Sequence, residues 1–267
     1  RQVGSQTFYE TQRSGVLLMD FEAIRRKRRL YFYTMARGGR SVDPNLAFTK
    51  LLMGMEGSDG STTFVDESPL ARSGIVATGN AQIDTAQFKF GTSSGLFDGA
   101  GDGISLDISS DWHFGTGDFT VEAQVRPSSV TGARWIVGQG DSLSNAARNG
   151  WALWMSAGVP RFSYVAEGST TWVDAVIGVS TLATNSQTHL MVARQGNTIR
   201  LFVEGALDNS AALTAELKNA SATDARVGTS SASTDGYAGH IDELRILKGK
   251  AAQTAAFTAP TSAYERP

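Results

Sequence analysis

The stretch that decides the fold lies near the end of the chain: Gly239-His240-Ile241-Asp242-Glu243-Leu244-Arg245-Ile246-Leu247-Lys248-Gly249. Read with a period of two residues, it predicts a β-strand with Ile241 and Arg245 on a mixed face and Asp242 and Leu244 on a mostly apolar one. The two adjacent carboxylates are unusual, because a carboxylate turned toward a core needs a cation, a metal or hydrogen-bond donors to offset its desolvation. The stretch therefore indicates a strand inside a sheet, with Asp242 as its least ordinary residue.

The composition favours one turn-rich sheet domain. The chain has 267 residues, of which 41% are hydrophobic, with 29 Gly and only 6 Pro. A chain of this length can bury about 70% of its unfolded surface in a single core. It has no cysteine, which excludes disulfides, thiolate metal sites and a cysteine nucleophile. No apolar run approaches the roughly eighteen residues that cross a bilayer, so we expect no membrane association.

The charge is unevenly distributed along the chain. Residues 1–40 carry nine Lys and Arg against three acids, and the remainder carries fifteen against twenty-three. The basic segment has too few apolar residues for a core of its own. We predict that residues 1–40 form an anchoring arm and that residues 41–267 form the globular domain, because the Gly- and Pro-punctuated segment 36–44 is typical of a linker.

The arm contains one dense basic run, Arg25, Arg26, Lys27, Arg28 and Arg29. We interpret it as the part that contacts a partner protein or a neighbouring subunit. Charges of this kind also bind nucleic acid phosphates without regard to sequence. Nothing in the chain supplies base readout, so nucleic-acid binding is the lesser alternative.

The body of the chain alternates cleanly where it is most regular. In residues 119–127, Phe119, Val121, Ala123 and Val125 are predicted to face inward, and the intervening residues, Glu122 among them, to face outward. Residues 189–204 predict a hairpin around Gln195-Gly196-Asn197. A dozen or so short extended runs at this spacing predict two stacked antiparallel sheets.

Four stretches together carry a resemblance to a known family. They are Phe-Asp-Gly-Ala-Gly-Asp at residues 97–102, Gly-Thr-Gly-Asp-Phe-Thr-Val-Glu-Ala at 115–123, Gly-Asn-Thr-Ile-Arg-Leu-Phe-Val-Glu-Gly at 196–205, and the closing strand at 239–249. The chain resembles the laminin-G-like, concanavalin A-like jelly-roll domains of tailed-bacteriophage virion proteins over about residues 46–263. The resemblance implies an all-β concanavalin A-like jelly-roll β-sandwich, preceded here by the basic N-terminal arm.

No catalytic constellation emerges from the sequence. Some concanavalin A-like enzymes hydrolyse β-glucans with a Glu-x-Asp-x-x-Glu strand, and this chain has no such spacing. His113, His189 and His240 are isolated, and no nucleophile elbow, Walker loop or zinc-ligand spacing occurs. We therefore expect a non-enzymatic protein and disfavour a glycoside hydrolase.

The resemblance implies one structural calcium ion. Related jelly rolls often hold Ca²⁺ beside the closing strand, where Asp242 stands in this sequence. Asp98 and Asp102, in the turn at 98–103, would supply further hard oxygen ligands. The alternative is that Asp242 pairs with Arg245 or accepts backbone N–H groups.

The candidate glycan-binding residues are three tryptophans in the middle of the domain. Related folds bind sugars by stacking them on aromatic faces beside polar side chains. Trp135, Trp154 and Trp172 each lie on or beside a predicted strand, and Trp151 falls on the face opposite Trp154. Most large aromatics in a sandwich belong to the core, and the sequence does not choose among the three.

The expected function is that of a non-enzymatic structural or decoration component of a tailed-phage virion, made in the host cytoplasm and displayed at the particle surface. The arm would contact other virion proteins, and a homo-oligomer, most simply a trimer, is expected. The alternative is an adhesin on tail or capsid that binds a host surface glycan. Sugar affinity that Trp154→Ala or Trp172→Ala removes would separate the two.

Overall fold

A computed structural model of the chain describes residues 43–141, 150–220, 223–233 and 235–267. The basic run Arg25–Arg29 and the predicted boundary between residues 40 and 41 lie outside those residues. Two short 3-10 helices occur at Leu46–Phe48 and Ser110–Trp112. The strands are β1 Thr49–Met53, β2 Val76–Thr78, β3 Gln82–Asp84, β4 Ser94–Asp98, β5 Gly103–Ser105, β6 Phe119–Pro127, β7 Ala133–Gln139, β8 Trp151–Ser156, β9 Val159–Val165, β10 Trp172–Ile177, β11 Thr188–Gln195, β12 Thr198–Val203, β13 Ala206–Ala212, β14 Ala225–Val227 and β15 Ala238–Lys248.

The strands form two antiparallel sheets, as predicted. The first sheet has the order β13-β12-β11-β6-β15-β4-β3, and β1 also pairs with β15. The second has the order β10-β9-β8-β7-β14-β5-β2. Strand β15, which contains the stretch from Gly239 to Lys248, is central to the first sheet, because β6 lies along one edge of it and β1 and β4 share the other.

The core lies between the two sheets and is built by alternation. The inward residues predicted for β6, which are Phe119, Val121, Ala123 and Val125, are all fully buried in it. Residues of β8 and β9 meet them from the second sheet, and the ring centroids of Phe119 and Phe162 are 5.2 Å apart. A fully buried Val or Phe side chain contributes about 1.5–3 kcal/mol, so this layer is a major source of the sandwich's stability. In the described part of the chain no helix is long and apolar enough to cross a membrane.

Strand β15 contains a β-bulge, so the prediction of strict alternation along this strand was wrong. Glu243 has a φ of 47°, and the pairing of β15 with β6 shifts register between Asp242 and Arg245. As a result, both Ile241 and Leu244 enter the core, whereas strict alternation had placed them on opposite faces. The extra residue of the bulge lets Asp242 and Arg245 share the outer face of the sheet.

The C-terminal residues 250–267 fold back over the outer face of the first sheet. Phe257 packs there on a second apolar cluster formed by Met191, Ala193, Phe202 and Ala251. The residues of β6 predicted to face outward do point to this side, but Glu122 is 0% exposed and Gln124 is 1% exposed. We name this surface the tail-covered face.

Candidate functional site

The outer face of the second sheet gathers all three candidate tryptophans. The three residues are Trp135 on β7, Trp154 on β8 and Trp172 on β10. Trp151 lies on the opposite face of β8 and enters the core between the sheets. Trp135 and Trp154 are direct cross-strand partners. The Trp135 and Trp172 rings meet edge to face with centroids 6.5 Å apart. We name this surface the tryptophan face.

Small residues make room for these rings. Gly138, Ala152 and Ser163 lie in one row across β7, β8 and β9. A Cβ added to Gly138 would lie 2.6 Å from Cζ2 of Trp135, so the indole packs directly against this glycine. Trp135 is 0% exposed and donates from Nε1 to the carbonyl of Arg226 at 3.2 Å. This residue therefore supports the face from beneath and is not available to stack on a ligand.

The exposed part of the face is a hydrogen-bonded set around Trp154. Its Nε1 donates to Ser163 Oγ at 2.7 Å, and Ser163 in turn donates to Asp174 Oδ1. The second carboxylate oxygen, Asp174 Oδ2, accepts from Arg161 at 2.8 Å. The Arg161 guanidinium lies over the Trp154 ring, 5.4 Å from its centroid. Trp154 and Trp172 are both partly exposed, so two indoles lie beside the fixed ion pair of Arg161 and Asp174.

The three predicted calcium ligands do not converge on one point. Asp102 Oδ2 accepts the amide of Asp98 at 2.9 Å, and Asp98 Oδ1 accepts the amide of Ala100 at 2.7 Å. These two carboxylates therefore shape the turn between β4 and β5. Asp98 pairs with Ala238, four residues before Asp242 on β15, which is about 13 Å along a strand. One ion with ligands at about 2.4 Å cannot reach across that span, and the part of the chain that the structure describes has no cluster of three His, Cys, Asp or Glu suited to a metal.

Asp242 follows one of the alternatives open from the sequence. Its Oδ2 accepts the amides of Lys89 at 2.7 Å and Phe90 at 3.0 Å. Burial raises the pKa of Asp242 to about 7, although these two amides act in the opposite direction. Its Oδ1 has no hydrogen-bonding partner. A calcium ion at Asp242 stays a prediction, with Oδ1 as the ligand atom still open to it.

Arg245 pairs with Glu122 and not with Asp242. Arg245 Nε donates to Glu122 Oε1 at 2.7 Å, and its guanidinium also contacts the carboxylate of Asp43. Tyr264 from the C-terminal segment donates to Glu122 Oε2 at 2.8 Å, and its ring lies under Arg245 at 3.7 Å. Burial alone would raise the pKa of Glu122, but Arg245, with His189 and Tyr264, lowers that pKa to about 2.

This buried cluster was not predicted from the sequence. Glu122 looked like an exposed strand residue, because the segment that covers it lies more than a hundred residues away. The signal that could have found it is the tail itself, where Tyr264 and Arg266 stand among otherwise small and polar residues. Arg266 reaches Glu243 and Glu67, so each acid of the cluster meets an arginine.

The comparisons with known proteins agree with this fold. The family model described as the concanavalin A-like lectin/glucanases superfamily matches residues 98–255, more than half of the chain. The binding domain of Paraclostridial Mosquitocidal Protein 1 superposes with a TM-score of 0.58 at 14% identity, over 77% of this chain and 50% of that one. The receptor-binding domain of botulinum neurotoxin mosaic serotype C/D superposes with a TM-score of 0.57 at 14% identity, over 78% and 49%.

A third similar structure is the botulinum neurotoxin serotype G binding domain, with a TM-score of 0.54 at 11% identity, over 76% of this chain and 48% of that one. The chain thus spans about half the length of these structures, and at such identities the shared property is the fold. No curated protein sequence matches the chain. The two-sheet architecture, the strand motifs and the family match lead to one conclusion: this chain belongs to the concanavalin A-like lectin/glucanases superfamily.

Proposed function

We propose that this domain is a non-enzymatic glycan-binding module whose ligand lies on the tryptophan face. The observation that carries the proposal is the set of two partly exposed indoles, Trp154 and Trp172, beside the Arg161–Asp174 ion pair. Sugars present an apolar C–H face and a ring of hydroxyls. Indoles suit the first, and a fixed carboxylate and guanidinium suit the second.

The preorganisation of the face supports this reading. Trp135 is packed against Gly138 and holds Trp172 through an edge contact, and Ser163 holds both Trp154 and Asp174. A ligand would therefore find its polar partners already oriented, which lowers the entropy cost of binding. The similar structures named above are binding or receptor-binding domains, which is in keeping with the proposal.

The acidic residues support a non-enzymatic role. A glycosidase needs two carboxyl groups facing one bond, about 5–9.5 Å apart. Glu122 is buried and held by Arg245, and Glu243 is held by Arg266. Each of these carboxylates is committed to a partner within the fold.

A glycan array with the full chain tests the proposal. We expect binding to a limited set of glycans, reduced at least tenfold by Trp154→Ala and by Trp172→Ala, since each removes a stacking platform. Phe88→Ala is the matched control, because Phe88 is an exposed aromatic (46%) in the β3–β4 connection and should leave binding unchanged. A blank array, or equal losses in all three variants, would rule out the tryptophan face as a glycan site.

We propose, as a second candidate, that the domain is a structural or decoration component of a tailed-phage virion, anchored through residues 1–40. The support is the strand motifs described above and the contrast between a basic arm and an acidic body. Light scattering on residues 1–267 and on residues 41–267 tests it. A trimer that becomes monomeric without the arm would support an assembly role, whereas monomers in both cases would count against it.

A further inference from the structure

Three buried polar atoms without hydrogen-bonding partners belong to side chains that are neighbours on the tail-covered face. They are Asp242 Oδ1, Gln124 Oε1 and His189 Nδ1, and their residues are 1%, 1% and 0% exposed. Asp242 pairs directly with Gln124 across β15 and β6, and Gln124 pairs directly with His189 across β6 and β11. Neighbouring strands lie about 4.8 Å apart, so the three side chains form one row, which we name the acceptor row.

The tautomer of His189 follows from what surrounds its other nitrogen. Nε2 lies 3.3 Å from Glu122 Oε2 and 3.2 Å from Tyr264 Oη. The Tyr264 hydroxyl donates its hydrogen bond to Glu122, so both neighbours of Nε2 act as acceptors. In the neutral imidazole the proton therefore belongs on Nε2, and Nδ1 carries a lone pair. Carboxylate support of this kind is the usual partner of a histidine that binds a metal through its second nitrogen.

No cationic side chain of the described residues serves the row. Arg245 is committed to Glu122 and Asp43, and Arg266 binds Glu67 and Glu243. The amides of Lys89 and Phe90 reach only Oδ2 of Asp242. The row contains a buried carboxylate, an amide carbonyl and an imidazole lone pair. All three groups require an electropositive binding partner.

We propose that the acceptor row is a binding site for a first-row divalent transition metal, with Asp242, Gln124 and His189 as its protein ligands. The imidazole nitrogen distinguishes it from a calcium site, because Ca²⁺ prefers an all-oxygen shell whereas imidazole suits zinc and its neighbours. The site is separate from the Asp98–Asp102 turn and from the tryptophan face. Bound metal would join β15, β6 and β11 beneath the C-terminal segment.

Calorimetric titration of the full chain, after treatment with a chelator, tests the proposal with Zn²⁺, Mn²⁺ and Ca²⁺ as separate probes. We expect one Zn²⁺ or Mn²⁺ per chain, bound at least tenfold more tightly than Ca²⁺. Asp242→Asn and His189→Gln should each weaken this binding at least tenfold, and His113→Gln, on a histidine outside the row, should not. Tighter binding of Ca²⁺, no binding, or equal affinity in all three variants would overturn it.

A measurement on the unaltered protein keeps the test independent of variant folding. The chain has three histidines, and their ring nitrogens are separable by long-range ¹H–¹⁵N spectroscopy. Saturating Zn²⁺ should move the Nδ1 resonance of His189 and leave that of His113 in place. An unmoved His189 would mean that ordered water alone fills the row, which contradicts the proposal.

Discussion

Replacing Arg245 by Met should be among the most damaging single changes in this domain. Arg245 is 5% exposed, and its removal leaves Glu122, which is 0% exposed, without its cation. Breaking a buried ion pair by deleting one partner costs about 3–5 kcal/mol, because the remaining charge is uncompensated. The stacked contact with Tyr264 is lost as well. We expect the free energy of unfolding at pH 7 to fall by about that amount.

The pH dependence gives a second magnitude, for Glu122 with Arg245, His189 and Tyr264 together. The folded state lowers the pKa of Glu122 from 4.5 to about 2, and a shift of that size corresponds to about 3 kcal/mol. Because the folded pKa is depressed, this stability is fully present above pH 4.5 and is lost as the pH falls toward 2. This magnitude is similar to the loss of about 3–5 kcal/mol expected when one partner of a buried ion pair is deleted.

Urea denaturation followed by circular dichroism is the assay. The double variant Glu122→Gln with Arg245→Met should recover at least half of the loss, since the buried carboxylate is then removed together with its cation and the acid left unpaired, Asp43, is partly exposed. A loss below about 1 kcal/mol in the single variant would refute the reasoning, because a cost of that size is typical of a surface pair. A double variant less stable than the single one would refute it equally.

Three other changes to the chain test separate features of the fold. Asp242→Asn should stabilise the chelator-treated protein at pH 8. Burial raises the pKa of Asp242 from 3.8 to about 7, so the wild type loses stability as the pH rises from about 4 to 7, and the variant does not. Urea denaturation at a series of pH values measures the difference. Gly138→Ala should cost about 1–3 kcal/mol and weaken glycan binding, because the new Cβ would lie 2.5 Å from the Trp151 carbonyl; unchanged melting and affinity would count against the packing described. Truncation after residue 252 should cost about 3–5 kcal/mol, as Phe257 and Tyr264 are lost, and should expose Met191 and Phe202 to a hydrophobic dye; an unaltered dye signal would show that the tail covers nothing.

The sequence was most informative where one physical rule acts alone. Alternation in β6 assigned Phe119 and Val121 to the core, because a strand in a sandwich has one inward face. The same rule separated Trp151 from Trp154. It failed at Glu243, where a bulge inserts one residue and resets the faces, since nothing local in a strand of eleven residues announces a bulge.

The candidate site depended on contacts between distant parts of the chain. The sequence named Trp135, Trp154 and Trp172 but had no means of placing them together, because their grouping requires the order of β7, β8, β9 and β10 in one sheet. The fate of Asp242 was left open for the same reason, since its donors come from residues 89 and 90. The burial of Glu122 was missed because the covering segment is remote in sequence.

The most direct test of the glycan-binding face is an NMR titration of the indole N–H signals with the best ligand from the array. The chain has five tryptophans, and each indole gives one signal whose environment is known. Ligand should shift the signals of Trp154 and Trp172 and leave those of Trp112 and Trp151, which lie in the core, in place. Shifts confined to residues away from the tryptophan face would contradict the account.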